Sequence, residues 1–317
     1  MKNNLLTAGL TGMTLLCAAP DLDAQTIEPT GVYLFAEKDG EELFLSVYDP
    51  APDSETRIDG KSKPTVIFIF GGGFKEGSRD HEFYHPWYRK LTDNGYRVVS
   101  IDYRLGLKDV TKMGVLQNRL LEAAIQLAVD DLFSATAFLL DNAESLGIEP
   151  DNIVVSGSSA GAITALQADW EMSNHAPAAQ VLPDGFRYAG IMSFSGAVFS
   201  RHGTPSYFEG PAPTLLFHGT ADRLVTYKQI AFFRIHFSGS DKLASIFRKK
   251  GYNYGIYRFF GCAHEIASTM LYNFDREVEF LEANVMRREK RVVDQVVDDP
   301  SIEKPEWATL SAKDIYK

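Results

Sequence analysis

From Gly31 onward the hydrophobic positions fall into short blocks that alternate between two periods. Residues 31–36 and 42–48 read as strands on either side of Lys38-Asp39-Gly40, an Asp-Gly signal for a tight hairpin turn. Further runs follow at 65–70, 97–101, 153–155, 190–194, 214–217 and 254–260. Each has strand length, and most are apolar on both faces, as parallel strands covered by helices should be. Between them the period lengthens. Leu121, Ile125, Ala128, Leu132, Ala135 and Leu139 are spaced by three and four, and the pattern ends near Gly147 and Pro150. Strands alternating with helices predict an α/β fold built on an eight-stranded, mainly parallel sheet whose first two strands are antiparallel.

The ends of the chain read differently. From about Met286 the sequence is charge-rich and carries Pro300 and Pro305, so residues 286–317 are expected to form a tail packed on the surface and not a second domain. At the other end Lys2 precedes an apolar stretch, residues 5–19, followed by Leu22-Asp23-Ala24. This resembles a secretory signal peptide over residues 1–24 with cleavage before Gln25, which implies an exported chain, periplasmic or secreted, whose main domain spans 25–285. Leu16 stands before Cys17 where a lipoprotein signal needs a small residue. After cleavage only Cys262 would remain, so no disulfide can form within the mature chain. No other apolar run approaches the ~20 residues of a membrane-spanning helix.

Composition narrows the function. The 317 residues are 45% hydrophobic and 23% charged, an ordinary globular balance, with a net charge of -10 and no long basic run. That balance argues against nucleic acid or an anionic membrane surface as a partner.

The chemistry begins at Gly157-Ser158-Ser159-Ala160-Gly161, a G-x-S-x-G spacing after one predicted strand and before a helical run over 162–166. A strand that turns sharply into a helix strains its central residue, and only small flanking side chains let the two elements approach. Ser159 would then project at the helix N-terminus, where the N–H of Ala160 and the helix dipole face a developing oxyanion. Phe70-Gly71-Gly72-Gly73-Phe74 follows another strand, and its glycines let backbone N–H groups approach a substrate. It fits neither a phosphate loop, since Lys75 is not followed by Ser or Thr, nor a dinucleotide fingerprint, since Gly77 is out of register. After the last two strands of the alternation come His218-Gly219-Thr220-Ala221-Asp222 and Gly261-Cys262-Ala263-His264. Ser159, Asp222 and His264 therefore appear in the order nucleophile, acid, base. His264 would take the Ser159 proton while Asp222 holds the imidazole. His218 reads as structural and Glu265 as a solvated helix start.

One motif points elsewhere. His81-Glu82-Phe83-Tyr84-His85 matches H-E-x-x-H, a zinc signature that needs both histidines on one helical face. Pro86 follows at once, so a helix should start there and run to Asn94, leaving His81 and His85 in the entering loop. No metal is expected.

Together these segments resemble the α/β-hydrolase superfamily over residues 31–283, especially its carboxylesterases and carbohydrate-acting esterases. The carriers are the Gly71-Gly72-Gly73 loop, Ser100-Ile101-Asp102-Tyr103-Arg104-Leu105, the Ser159 pentapeptide and the Asp222 and His264 segments. The resemblance implies oxyanion donors at the N–H groups of Gly72, Gly73 and Ala160. It also implies a serine esterase that forms an acyl-enzyme without metal or organic cofactor. Phe70 departs from the histidine many relatives carry there, which leaves the backbone donors intact. In this fold a cap usually enters after the sixth strand, and residues 196–212 are too few for a helical lid. An open pocket is expected, suited to short acyl groups on carbohydrates or other bulky alcohols. A peptidase or acyltransferase could use the same triad, and an inactive glycan- or partner-binding protein is disfavoured because no triad residue is missing.

Overall fold

The computed structural model describes residues 26–110, 118–311 and 314. The expected leader, residues 1–24, lies outside them. The chain enters through β1 (Gly31–Lys38) and β2 (Glu41–Tyr48). Asp39 and Gly40 join them at φ of 55° and 80°, the two positive values that a type I′ hairpin turn demands and an Asp-Gly pair tolerates. A two-residue hairpin, β3 (Arg57–Ile58) and β4 (Lys61–Ser62), precedes β5 (Thr65–Ile69). The alternation then runs through α1 (His85–Asp93), β6 (Arg97–Ile101), α2 (Asn118–Asp141), α3 (Ala143–Leu146), β7 (Ile153–Ser158), α4 (Ala160–Ser173) and β8 (Gly190–Phe194). After β9 (Ala197–Ser200) and β10 (Thr214–Gly219) come β11 (Gln229–Phe232), β12 (Ile235–Gly239), α5 (Ser240–Lys250), β13 (Tyr254–Phe259), α6 (Met270–Phe280) and β14 (Val292–Val297).

The main sheet has the order β1-β2-β6-β5-β7-β8-β10-β13-β14. It has nine strands, where eight were expected. The ninth, β14, pairs parallel with β13 from Tyr254↔Val292 onward and belongs to the segment read as a tail. Its Asp294 and Gln295 break the apolar run, because an edge strand keeps one flank in water. Only the β1·β2 and β2·β6 pairs are antiparallel. The inner strands β5, β7, β8 and β10 are buried at every position, which is why their sequences are apolar on both faces.

Right-handed crossovers distribute the helices. The connection β5-α1-β6 steps one way across the sheet and β6-α2-β7 the other, so α1 and α2 cover opposite faces. α2 packs with α4, and α1 with α6. α2 ends at Asp141, before the Gly147 and Pro150 near which the pattern was expected to stop, and at 24 residues with mean hydropathy 1.5 it could by composition cross a membrane. Here Ala124, Ala128, Leu132, Ala135 and Leu139 are buried in the core.

A second, antiparallel sheet, β11-β12-β9, stands beside the first. It is assembled from the insertions after β8 and after β10, and the sequence pattern gave no sign of it. The glycine loop, Ser159, Asp222 and His264 follow β5, β7, β10 and β13, so all four lie at the carboxyl edge of the parallel strands, where such sheets bind ligands.

Candidate active site

Ser159 is the single residue between β7 and α4, held at φ 50° and ψ -111°. A serine in that region is strained by about 1–3 kcal/mol, and its surroundings must enforce the conformation. They do so by close approach. A Cβ on Gly157 would lie 2.3 Å from the carbonyl of Gly161, and one on Gly161 would lie 2.0 Å from the oxygen of Ile69. The Ser159 N–H donates to Phe194 O at 2.9 Å, pinning the turn to β8.

The Ser159 Oγ stands 2.8 Å from His264 Nε2, and His264 Nδ1 stands 2.8 Å from Asp222 Oδ2. The carboxylate keeps the proton on Nδ1 and leaves Nε2 to accept from the serine hydroxyl. Asp222 Oδ1 accepts the N–H groups of Leu224 (2.9 Å) and Val225 (3.0 Å). Burial alone would raise the Asp222 carboxyl, but the charges and hydrogen bonds of His264 and His218 reverse this and hold it well below the usual carboxylate range. His218 is thus more than a core residue. Its Nε2 lies 3.3 Å from Asp222 Oδ2, and its ring is fixed by Ser240 Oγ (2.8 Å) and Val225 O (3.1 Å).

Glu265 departs from expectation. It is 5% exposed, not solvated, and its Oε2 accepts the Ala263 N–H at 2.9 Å. The cause is the short 3-10 helix His264–Ser268, which turns inward to carry His264 to the serine and takes its neighbour with it. Cys262 beside it is buried and unpaired by any disulfide, and burial pushes its thiol up to about 11. It is a poor nucleophile at neutral pH.

The glycine loop faces the same space. Gly72, Gly73 and Phe74 have φ of 105°, 65° and 60°, and a Cβ on Gly72 would lie 1.8 Å from Glu76 O. Gly72, Gly73 and Ala160 line one cavity of about 220 Å³ with Ser159 and His264. Ala160 opens α4, so its amide is one of the four that lack an intrahelical acceptor. Phe70, where relatives carry histidine, stacks on Tyr103 with centroids 4.4 Å apart, and the Tyr103 hydroxyl reaches both Phe70 O and Gly71 O at 3.2 Å. A larger polar cleft of about 780 Å³ opens at the opposite edge of the sheet, among Lys61, Glu149, Ala189 and Pro213, remote from these groups.

Sequence reasoning missed Tyr84. Its hydroxyl accepts the Gly71 N–H at 3.2 Å and is hydrogen-bonded to Ser158, whose Oγ donates to Ala267 O at 2.7 Å. The glycine loop, the serine turn and the histidine helix are joined through these two side chains. Tyr84 lies inside the H-E-x-x-H match, whose other members have local roles. His81 caps the 3-10 turn Glu82–Tyr84 by accepting the Phe83 N–H, and His85 is the buried first residue of α1, not part of the entering loop. Pro86 is tolerated one residue later because that turn donates no intrahelical bond. Trp307, from the expected tail, also lines the cavity.

Two family models match the chain, BD-FAE over residues 54–177 and Phospholipase/Carboxylesterase over residues 117–271. Lipase 2 of Moraxella sp. (strain TA144) is 31% identical over 156 residues, which covers 45% of this chain and 32% of that protein. Gut esterase 1 of Caenorhabditis briggsae is 30% identical over 142 residues, covering 44% of this chain and 23% of its own. The match thus spans less than a third of either relative's length. A thermophilic esterase from the planctomycete Thermogutta terrifontis superposes with a TM-score of 0.56 at 21% identity, covering 79% of this chain and 91% of that one. At that identity the likeness is one of fold.

Proposed function

The chain has the α/β-hydrolase fold, and from that premise we propose that it hydrolyses carboxylic esters through an acyl-enzyme on Ser159. The observation that carries the reading is the hydrogen-bonded line Ser159 Oγ, His264 Nε2, His264 Nδ1, Asp222 Oδ2, with 2.8 Å at each contact, at the wall of a cavity. Ser159 Oγ attacks the ester carbonyl as His264 Nε2 takes its proton. The charge gathering on the carbonyl oxygen is met by the N–H groups of Ala160, Gly72 and Gly73. Collapse breaks the bond to the alcohol, which leaves with the proton from His264. A water then attacks the acyl carbonyl as Nε2 takes its proton, and the bond to Ser159 Oγ breaks as His264 returns that proton to the serine, releasing the acid.

The finer substrate reading is a short acyl group on a carbohydrate or other bulky alcohol. A cavity of about 220 Å³ suits a small acid, and the Thermogutta terrifontis esterase has been solved with propionate and with butyrate bound. Export rests on the apolar run 5–19 behind Lys2.

A fluorophosphonate probe tests the mechanism. It should label the chain at Ser159, and Ser159→Ala should abolish both labelling and turnover of acetyl esters, the latter by about a million-fold. Full activity in the alanine variant would remove the mechanism. Faster hydrolysis of decanoyl than acetyl esters would remove the short-acyl reading.

A further inference from the structure

The esterase chemistry gives the cavity two sides. The carbonyl oxygen is drawn toward Gly72, Gly73 and Ala160, and the alcohol oxygen must leave beside His264 Nε2, which protonates it. The alcohol therefore lies on the His264 side. Ala267 and Ser268 of the histidine's own 3-10 helix line the cavity, and so does Trp307, whose turn packs on that helix.

Trp307 is fixed to that wall by the chain that follows β14. The Phe260 N–H donates to Val297 O at 2.8 Å, and Tyr272 holds Asp299, which in turn accepts the Ser301 N–H at 2.8 Å. The chain then forms the 3-10 turn Glu306–Thr309, whose Ala308 is fully buried and which packs on His264–Ser268. These ties hold the half-buried indole at the cavity, while Glu306 and Thr309 beside it remain exposed. A large, rigid, apolar plane at the rim of a site is the common form of an anchor for a flat group.

We propose that the segment after β14 builds the alcohol-side subsite, with Trp307 as its wall, and that the subsite takes an alcohol presenting a flat apolar ring face. This rests on the esterase reading. An aromatic alcohol and the apolar face of a pyranose share that chemistry.

The test uses the full chain and its Trp307→Ala and Trp307→Phe variants on methyl acetate, phenyl acetate and an acetylated methyl glucopyranoside. A second series keeps the phenyl alcohol and varies the acyl group from acetyl to butyryl. Trp307→Ala should lower kcat/KM for the ring-bearing acetates by roughly ten- to a hundredfold relative to methyl acetate, the scale of losing one aromatic anchor. Trp307→Phe should restore most of the loss. Deacylation of the acetyl-enzyme, common to all three acetates, should keep its rate. A loss confined to phenyl acetate assigns an aromatic alcohol, one confined to the glucoside assigns a sugar, and either supports the subsite. Three results overturn it: an unchanged order among the alcohols, an equal loss on methyl acetate with slowed deacylation, or a change in the acyl series alone. Failure of the wild-type chain to hydrolyse any ester or to accept a fluorophosphonate on Ser159 would instead sink the esterase reading beneath it.

Discussion

Asp222 is a carboxylate 7% exposed to solvent, and it stays ionised because two imidazoles and two backbone N–H groups surround it. Its folded value is depressed, so the stability it contributes is complete above the unfolded value of about 3.9 and is lost as pH falls below it. Loss of activity at pH 5 would therefore not report protonation of this residue. Asp222→Asn should cut kcat about ten-thousandfold, because the amide no longer fixes the proton on Nδ1. Its stability deficit against wild type, followed by urea melts, should shrink below pH 4. A kcat within tenfold of wild type would mean that another group orients His264.

Two elements meet through a buried acid. Trp87 on α1 donates from Nε1 to Glu277 Oε2 on α6 at 2.8 Å, and burial raises the Glu277 carboxyl well above its usual range. The folded chain keeps that proton while the unfolded chain loses it near pH 4.3, so stability declines as pH rises from there toward the folded value. Glu277→Gln keeps an acceptor for Trp87 and removes the titration. Its melting temperature should gain on wild type between pH 5 and pH 8, and parallel pH curves would show that the acid is ionised in the fold. At the same scale, Tyr84→Phe strands the Gly71 N–H and frees the glycine loop from the serine turn. A drop of about tenfold in kcat with KM little changed is expected, on the scale of one orphaned buried donor. A rise in KM alone would place Tyr84 in substrate binding. What was legible divides along the same lines. The inner strands and α2 announced themselves because burial on defined faces imposes a period. The strand β11 did not, since its Ile230 and Phe232 face solvent and no burial pattern was written into it.

Across the whole molecule, the order Ser159, Asp222, His264 could be read because each residue sits in a short motif at a strand end. Contacts made across the fold could not: Tyr84 with Ser158, Trp307 at the cavity. Each joins segments whose spacing in sequence carries no local signal, and Trp307 stands in a stretch whose charge and prolines read as surface. The cavity that these segments enclose draws on residues from Gly71 to Trp307, with the turn at Glu306–Thr309 closing it last along the chain. Contacts of that sequence separation form late and slowly. Hydrolysis is then a reporter of the finished fold, and during refolding from urea the return of ester turnover should lag behind the return of helical circular dichroism. A chain still emerging from the ribosome would carry its serine well before it could use it.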